Sequence, residues 1–305
     1  MEYVLETVGL KKQYGHFTAL NDVALRIPRG AIYGFVGRNG AGKTTLIRLI
    51  CGLQQPTSGS YTLFGKPNTS RDIRESRKRM GAVVETPSVY LGMTAEENLK
   101  EQYRVLGLPS FESIPELLKL VGLGNTGSKK ARNFSLGMRQ RLGIAIALAG
   151  DPDFLVLDEP ANGLDPQGIV EMRELILKLN RERHITVLIS SHILDELFRL
   201  ATHYGFIDRG TILKEVTAQE LEADFRKCIC VTVDRNQGLC PALDELGLEY
   251  RIVSENEAEI YGQPIITTLV QALAKRGCSI LAIREREENL ENYFMNLIGT
   301  QTPDT

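Results

Sequence analysis

Residues 37–44 read GRNGAGKT, a glycine-rich octapeptide that ends in a lysine and a hydroxyl residue. Gly37, Gly40 and Gly42 let the backbone bend until its N–H groups converge on anionic oxygens, because glycine accepts the conformations such a bend requires. Arg38, Asn39 and Ala41 belong to the same cradle. At this spacing Lys43 reaches the β- and γ-phosphates of a nucleoside triphosphate, and Thr44 offers its hydroxyl to Mg²⁺. Thr45 continues into a helix whose positive end faces the same anion. A plain glycine-rich strand-to-helix turn has a similar composition. The apolar run AIYGFVG before the loop and the amphipathic KTTLIRLICGL after it are the context that phosphate binding needs. The ligands to expect are ATP and Mg²⁺.

Residues 153–160, DFLVLDEP, are four apolar residues followed by two adjacent acids. The apolar run fits a strand buried on both faces. Adjacent strand side chains point opposite ways, so Asp158 can hold Mg²⁺ through its water shell while Glu159 faces the γ-phosphate as general base for water. His192 follows the strand TVLIS and opens a helix capped by Ser190 or Ser191; it is a structural histidine or a donor to the γ-phosphate. Asp165, followed by Pro166, reads as a helix N-cap. Ser135 reads as another, opening LGMRQRLGIAIALAG; with Gly137 beside it, that helix start is also an anion site.

These residues need a frame. Short apolar runs at 31–37, 80–85, 153–159 and 185–190 alternate with helical patterns in KTTLIRLICGL, LGMRQRLGIAIALAG, GIVEMRELILKLNRE and ILDELFRLATHY. Buried strands separated by amphipathic helices argue for a mostly parallel sheet covered on both faces. Residues 1–30 alternate as half-buried strands, YVLETV and DVALRIP, around a turn-like QYGHFT. From about 221 the pattern becomes CICVTV, helix LCPALDELG, LEYRIV, turn SENE, AEIY, helix IITTLVQALAKRG, CSILAIR and helix ENLENYFMNLI. That order is the split βαβ. Two domains are expected, 1–220 and 221–305, with a frayed QTPDT at the end.

Composition excludes several classes. The 305 residues carry 36 Lys and Arg against 38 Asp and Glu, a net charge of −2, which gives no general attraction to nucleic acid or an anionic membrane. No apolar run approaches the roughly 18 residues that span a bilayer, and the N-terminus lacks the pattern of a signal peptide. The five cysteines form no C-x-x-C pair, so neither a disulfide framework nor a zinc site is indicated.

With these motifs in this order, residues 4–215 resemble the ATP-binding-cassette (ABC) ATPases. The resemblance implies an α/β P-loop NTPase with an N-terminal antiparallel β subdomain and a helical signature subdomain, followed here by a small C-terminal α/β domain. GRNGAGKT corresponds to Walker A, FLVLDE to Walker B, NGLD to the D-loop with Asp165, and His192 to the switch histidine. FSLGMRQR corresponds to the signature, usually LSGGQ; Leu136 and Met138 depart from it, while Ser135 and Gly137 remain. Tyr14 stands where the family stacks an aromatic ring on adenine; read alone it is a turn residue.

The resemblance further implies two copies facing head to tail, Ser135 and Gly137 of one completing the ATP site of the other, and separate membrane permease subunits that move as ATP is hydrolysed. The chain would be cytoplasmic, peripheral on the inner face of the membrane, with no insertion of its own. Glu85 in VVETP replaces the usual Q-loop glutamine, which approaches Mg²⁺; read alone it is a surface acid. With SLGMRQRLGIA and ENLENYFMNLIG, this is similar to the bacitracin-resistance and lantibiotic-immunity exporter ATPases. The alternative is a soluble cassette ATPase acting on the ribosome or DNA, which would be expected to show coiled coils, zinc cysteines or tandem cassettes.

Overall fold

The computed structural model describes residues 2–224, 228–262, 264–286 and 290–299. The chain divides into two compact units, the first Met1–Ala218 with Leu297–Thr305 and the second Gln219–Asn296. The closing QTPDT lies outside the described residues.

The first unit has two sheets. One is antiparallel, with β1 (Tyr3–Tyr14) between β2 (Phe17–Pro28) and β4 (Ser58–Leu63), and β5 (Lys66–Pro67) at its edge. The expected QYGHFT turn is far tighter: β1 runs to Tyr14 and β2 starts at Phe17, the two residues pairing directly. Cross-strand packing extends both strands through the polar stretch.

The second sheet holds β3 (Ile32–Val36), β6 (Met80–Val83), β7 (Phe154–Asp158), β8 (Thr186–Ser191), β9 (His203–Asp208) and β10 (Thr211–Thr217) in the order β10-β9-β3-β8-β7-β6. All neighbours are parallel except β10 with β9. Every residue of β3, β7 and β8 is buried, as the uniformly apolar runs required. The flanking helices of this unit are α1 (Lys43–Ile50), α2 (Ile73–Lys78), α3 (Ala95–Leu106), α4 (Ile114–Leu120), α5 (Leu136–Leu148), α6 (Pro166–Arg183) and α7 (Leu194–Phe198).

The reading of ILDELFRLATHY as one helix is corrected. The helix stops at Phe198, and His203 and Tyr204 belong to β9, which pairs with β3. Leu194, Leu197 and Leu200 carry a helical period, but Tyr204 and Phe206 fit a fully buried strand. Gly205 matters there: a Cβ on it would lie 2.3 Å from the Tyr33 hydroxyl, so only glycine lets the ring of β3 cross. Ser190 and Ser191 do not cap that helix through a side-chain bond; both lie in β8, and Ser190 turns its hydroxyl to Asp158 instead.

In the second unit, after α8 (Ala218–Asp224), come β11 (Cys228–Val233), α9 (Leu239–Glu245), β12 (Tyr250–Ser254), β13 (Glu257–Tyr261), α10 (Ile266–Lys275), β14 (Ile280–Arg286) and α11 (Leu290–Gly299). The strands form one antiparallel sheet, β12-β13-β11-β14. Ile229, Val231 and Val233 alternate into a core with Leu239, Leu243, Leu269 and Leu273 of α9 and α10.

Candidate functional site

The parallel strands aim their C-terminal ends at one crevice, where ligands bind in open α/β sheets. After β3 the chain enters the glycine loop. Gly40 and Gly42 take φ of 81° and 111°, and a Cβ on Gly42 would lie 2.7 Å from the Ala19 carbonyl oxygen. These are positions only glycine fills without strain. α1 then starts on Gly42 with no side-chain cap, leaving its first amides to an anion. Lys43 is buried at 6% exposure, and its ammonium donates to the Gly37 and Arg38 carbonyls at 2.6 and 3.3 Å. The loop thus folds around its own lysine and holds the charge in place.

The carboxylates arrive from β7, but not as a strand pair pointing opposite ways. β7 ends at Asp158, and Glu159 has a φ of 53°, a left-handed turn unusual for a residue with a side chain. Its amide donates to the Ser190 carbonyl at 3.1 Å and hydroxyl at 3.0 Å, which fixes the turn. Glu159 Oε1 then lies 3.4 Å from Lys43 Nζ, and Oε2 lies 2.6 Å from His192 Nδ1 and accepts from the His192 amide at 3.2 Å. A cation and an imidazole therefore hold one carboxylate by both oxygens. A strained backbone that aims a side chain at such a network is characteristic of functional sites.

Asp158 sits behind this network at 1% exposure. Its Oδ1 accepts from the Ser190 hydroxyl at 2.6 Å, while Oδ2 is buried with no hydrogen-bond partner among the described residues. A buried carboxylate oxygen without a donor is costly unless a cation or its water answers it.

A cleft of about 410 Å³ opens over these groups. Arg38, Asn39, Gly40, Gly42, Lys43, Thr44, Thr45, Glu159 and His192 all line it. Three further lining residues, Phe17, Ala19 and Asn162, were not singled out in the sequence. Phe17 is 64% exposed in a turn region, so no burial pattern marked it; Asn162 follows Glu159 by three residues and donates its amide to the Glu159 carbonyl at 3.1 Å.

Other candidates lie outside the cleft lining. Gly37 and Ala41 shape the loop from behind: a Cβ on Gly37 would meet the Ile207 carbonyl at 2.6 Å, and the Ala41 amide bonds the Arg38 carbonyl at 3.1 Å. The Tyr14 hydroxyl bonds Gln54, and Lys12 Nζ stands 5.0 Å from the ring centroid. Ser135 caps α5 by accepting from the Met138 amide at 3.2 Å, and Asp165 caps α6 by accepting from the Gly168 amide at 3.1 Å. Gly137 follows at the open start of α5. Glu85 lines a different groove, with Arg48, Cys51, Pro87 and Gly143, and pairs with Arg48 at 2.6 Å.

Comparison with known proteins gives this geometry its context. The family model described as ABC transporter matches residues 20–162, which hold the glycine loop, the signature and the Asp158–Glu159 pair. The bacitracin transport ATP-binding protein of Bacillus licheniformis is 40% identical over 99% of both chains. The chain belongs to the ATP-binding subunits of ABC transporters. A lantibiotic transport ATP-binding protein of Streptococcus pyogenes is 45% identical over 70% of this chain and 90% of its own. Among solved structures, an ABC-transporter subunit from Clostridium perfringens superposes with a TM-score of 0.66 at 26% identity, covering 73% of this chain and 92% of that one. An ATP-binding cassette solved as a dimer, in a post-hydrolysis state with ADP and phosphate, superposes with a TM-score of 0.63 at 25% identity, covering 70% and 98%.

This ABC subunit therefore binds and hydrolyses ATP, and the soluble alternative on ribosome or DNA is not favoured. No described helix is long and apolar enough to cross a membrane.

Proposed function

We propose that this subunit drives export of a peptide antibiotic, or a comparable amphiphile, through separate membrane permease subunits docked to it at the cytoplasmic face of the membrane. The observation that carries the reading is the arrangement of Lys43, Glu159 and His192 in one cleft, in a chain similar over nearly its whole length to a bacitracin transport ATP-binding protein.

The glycine loop and the start of α1 receive the triphosphate, with Lys43 exchanging its Glu159 contact for the phosphates. Glu159, released from the lysine, accepts the proton of the attacking water, and His192 keeps its carboxylate oriented and reaches the γ-phosphate. Residues fit for Mg²⁺ are present: the Thr44 hydroxyl lines the cleft, and Asp158 Oδ2 is buried without a protein donor. When bound, the ion would neutralise charge on the phosphates. Adenine would rest on Tyr14 and Phe17, which stand in register across the hairpin of β1 and β2.

Two identical chains would pair head to tail, Ser135 and Gly137 of one facing the cleft of the other beside Asp165. Glu85 would act from its groove rather than from the cleft. It would leave Arg48, a half-exposed pair worth at most about 1 kcal/mol, and move towards the bound ion as the permease shifts. The ATPase would occupy residues 1–220 and an accessory domain 221–305.

The test is complementation. Cells lacking this chain should become sensitive to a cyclic or lantibiotic-type peptide. The wild-type gene should restore resistance, and Glu85→Ala should fail to restore it while retaining ATPase activity. Unchanged sensitivity across a panel of such peptides would refute the export reading.

A further inference from the structure

The second unit carries a cluster that the nucleotide chemistry does not use. Cys228 and Cys230 stand two apart on β11, and Glu259 stands on β13 directly opposite Cys230 in register. Their two sulfurs and a carboxylate oxygen all lie within 4.8 Å of one another. Ile229 and Val231, the alternate residues of the strand, enter the core, so the thiols occupy the other face of the sheet. Cys228 and Glu259 are nevertheless 6% and 7% exposed. The cluster was illegible as spacing, because C-x-C alone is no zinc signature and the third member arrives from 29 residues further on through strand pairing.

Zinc–thiolate bonds run about 2.3 Å, which sets sulfurs on one tetrahedral ion roughly 3.8 Å apart. The sulfurs and the carboxylate oxygen, within 4.8 Å of one another, stand close to that spacing. Two sulfurs favour a thiophilic cation over Mg²⁺ or Ca²⁺, which take oxygen ligands. The Tyr261 hydroxyl donates to Glu259 Oε2 at 3.3 Å, the kind of outer hydrogen bond that orients a ligating carboxylate. Arg251 and Arg284 occupy the register positions opposite Glu259 and Cys230.

We propose that Cys228, Cys230 and Glu259 form a binding site for a thiophilic divalent cation of the zinc type, which clamps β11 to β13 and leaves a fourth position open to water. Binding displaces the thiol protons to solvent, and no redox change occurs.

The test uses the full chain, reduced and freed of metal, titrated with Co²⁺ as a spectroscopic stand-in for Zn²⁺. The expected result is a near-ultraviolet thiolate-to-cobalt charge-transfer band that saturates at one ion per chain, disappears when Zn²⁺ is added, and is lost in Cys230→Ser with ATP turnover unchanged. Co²⁺ at the nucleotide cleft meets oxygen and imidazole donors but no thiolate among the lining residues, and gives no such band. Glu259→Gln should keep a weaker band with affinity lowered by at least about tenfold, and carries the test should the cysteine variant misfold. A wild-type chain that hydrolyses ATP but shows no band overturns the proposal, as does a band that both variants leave unchanged.

Discussion

Ser190 joins the two carboxylates of the site, and Ser190→Ala measures what that join is worth. The residue is fully buried. Its hydroxyl donates to Asp158 Oδ1 at 2.6 Å and accepts from the Glu159 amide at 3.0 Å. Losing the second bond is nearly neutral, because the same amide also bonds the Ser190 carbonyl at 3.1 Å. Losing the first leaves both oxygens of a 1%-exposed carboxylate without a protein donor. A hydrogen bond to a charged group is worth about 1.5–3 kcal/mol. With about 2 kcal/mol lost, and about 2–4 °C per kcal/mol for a domain of this size, the melting temperature should fall by about 4–8 °C. The assay is thermal unfolding of the nucleotide-free chain, with Ser191→Ala as control. That serine accepts only from the Ile193 amide at 2.9 Å, a neutral bond worth about 1 kcal/mol. If Ser190→Ala falls no further than Ser191→Ala, the serine does not hold Asp158 and the account of the buried carboxylate is wrong.

Two further outcomes are expected. Stacking on a base is worth about 1–3 kcal/mol, so Tyr14→Ala and Phe17→Ala should each raise the KM for ATP, by about thirtyfold at the middle of that range, with kcat little changed. An effect confined to Phe17→Ala would assign the platform to that ring alone. At α3, the Glu97 carboxylate accepts from the Thr94 amide at 2.6 Å and from Lys130 at 3.0 Å, which holds its pKa below 4.5. A depressed folded value stabilises the chain above pH 4.5, and that contribution is lost as pH falls through the folded pKa. Glu97→Gln should therefore flatten the acid side of a melting-temperature profile, and an unchanged slope would show that the capping pair does not report there.

The nucleotide cradle was legible because it is local: glycines, lysine and threonine do their work within eight consecutive residues between a strand and a helix. Parts of the site made by strand register were not. Ser190 faces Asp158 because β7 and β8 pair in parallel, 32 residues apart in sequence, and the sequence suggested a helix cap instead. Glu159 follows the same lesson: its direction comes from a left-handed backbone turn, which no side-chain alternation encodes. β9 was hidden because leucines at helical spacing run up to it, and the glycine that decides it, Gly205, acts through a tyrosine on the neighbouring strand β3, far away in sequence. Phe17 was overlooked because an exposed aromatic beside a turn carries no periodic signal.

The central claim is that Glu159 accepts the proton of the attacking water. Glu159→Gln preserves volume and hydrogen-bonding oxygen while removing the base. The account predicts that ATP turnover falls by about 10²–10⁴-fold, that ATP still binds, and that the chain accumulates as a nucleotide-bound dimer. Turnover within about threefold of the wild type, measured under saturating Mg-ATP, would contradict it.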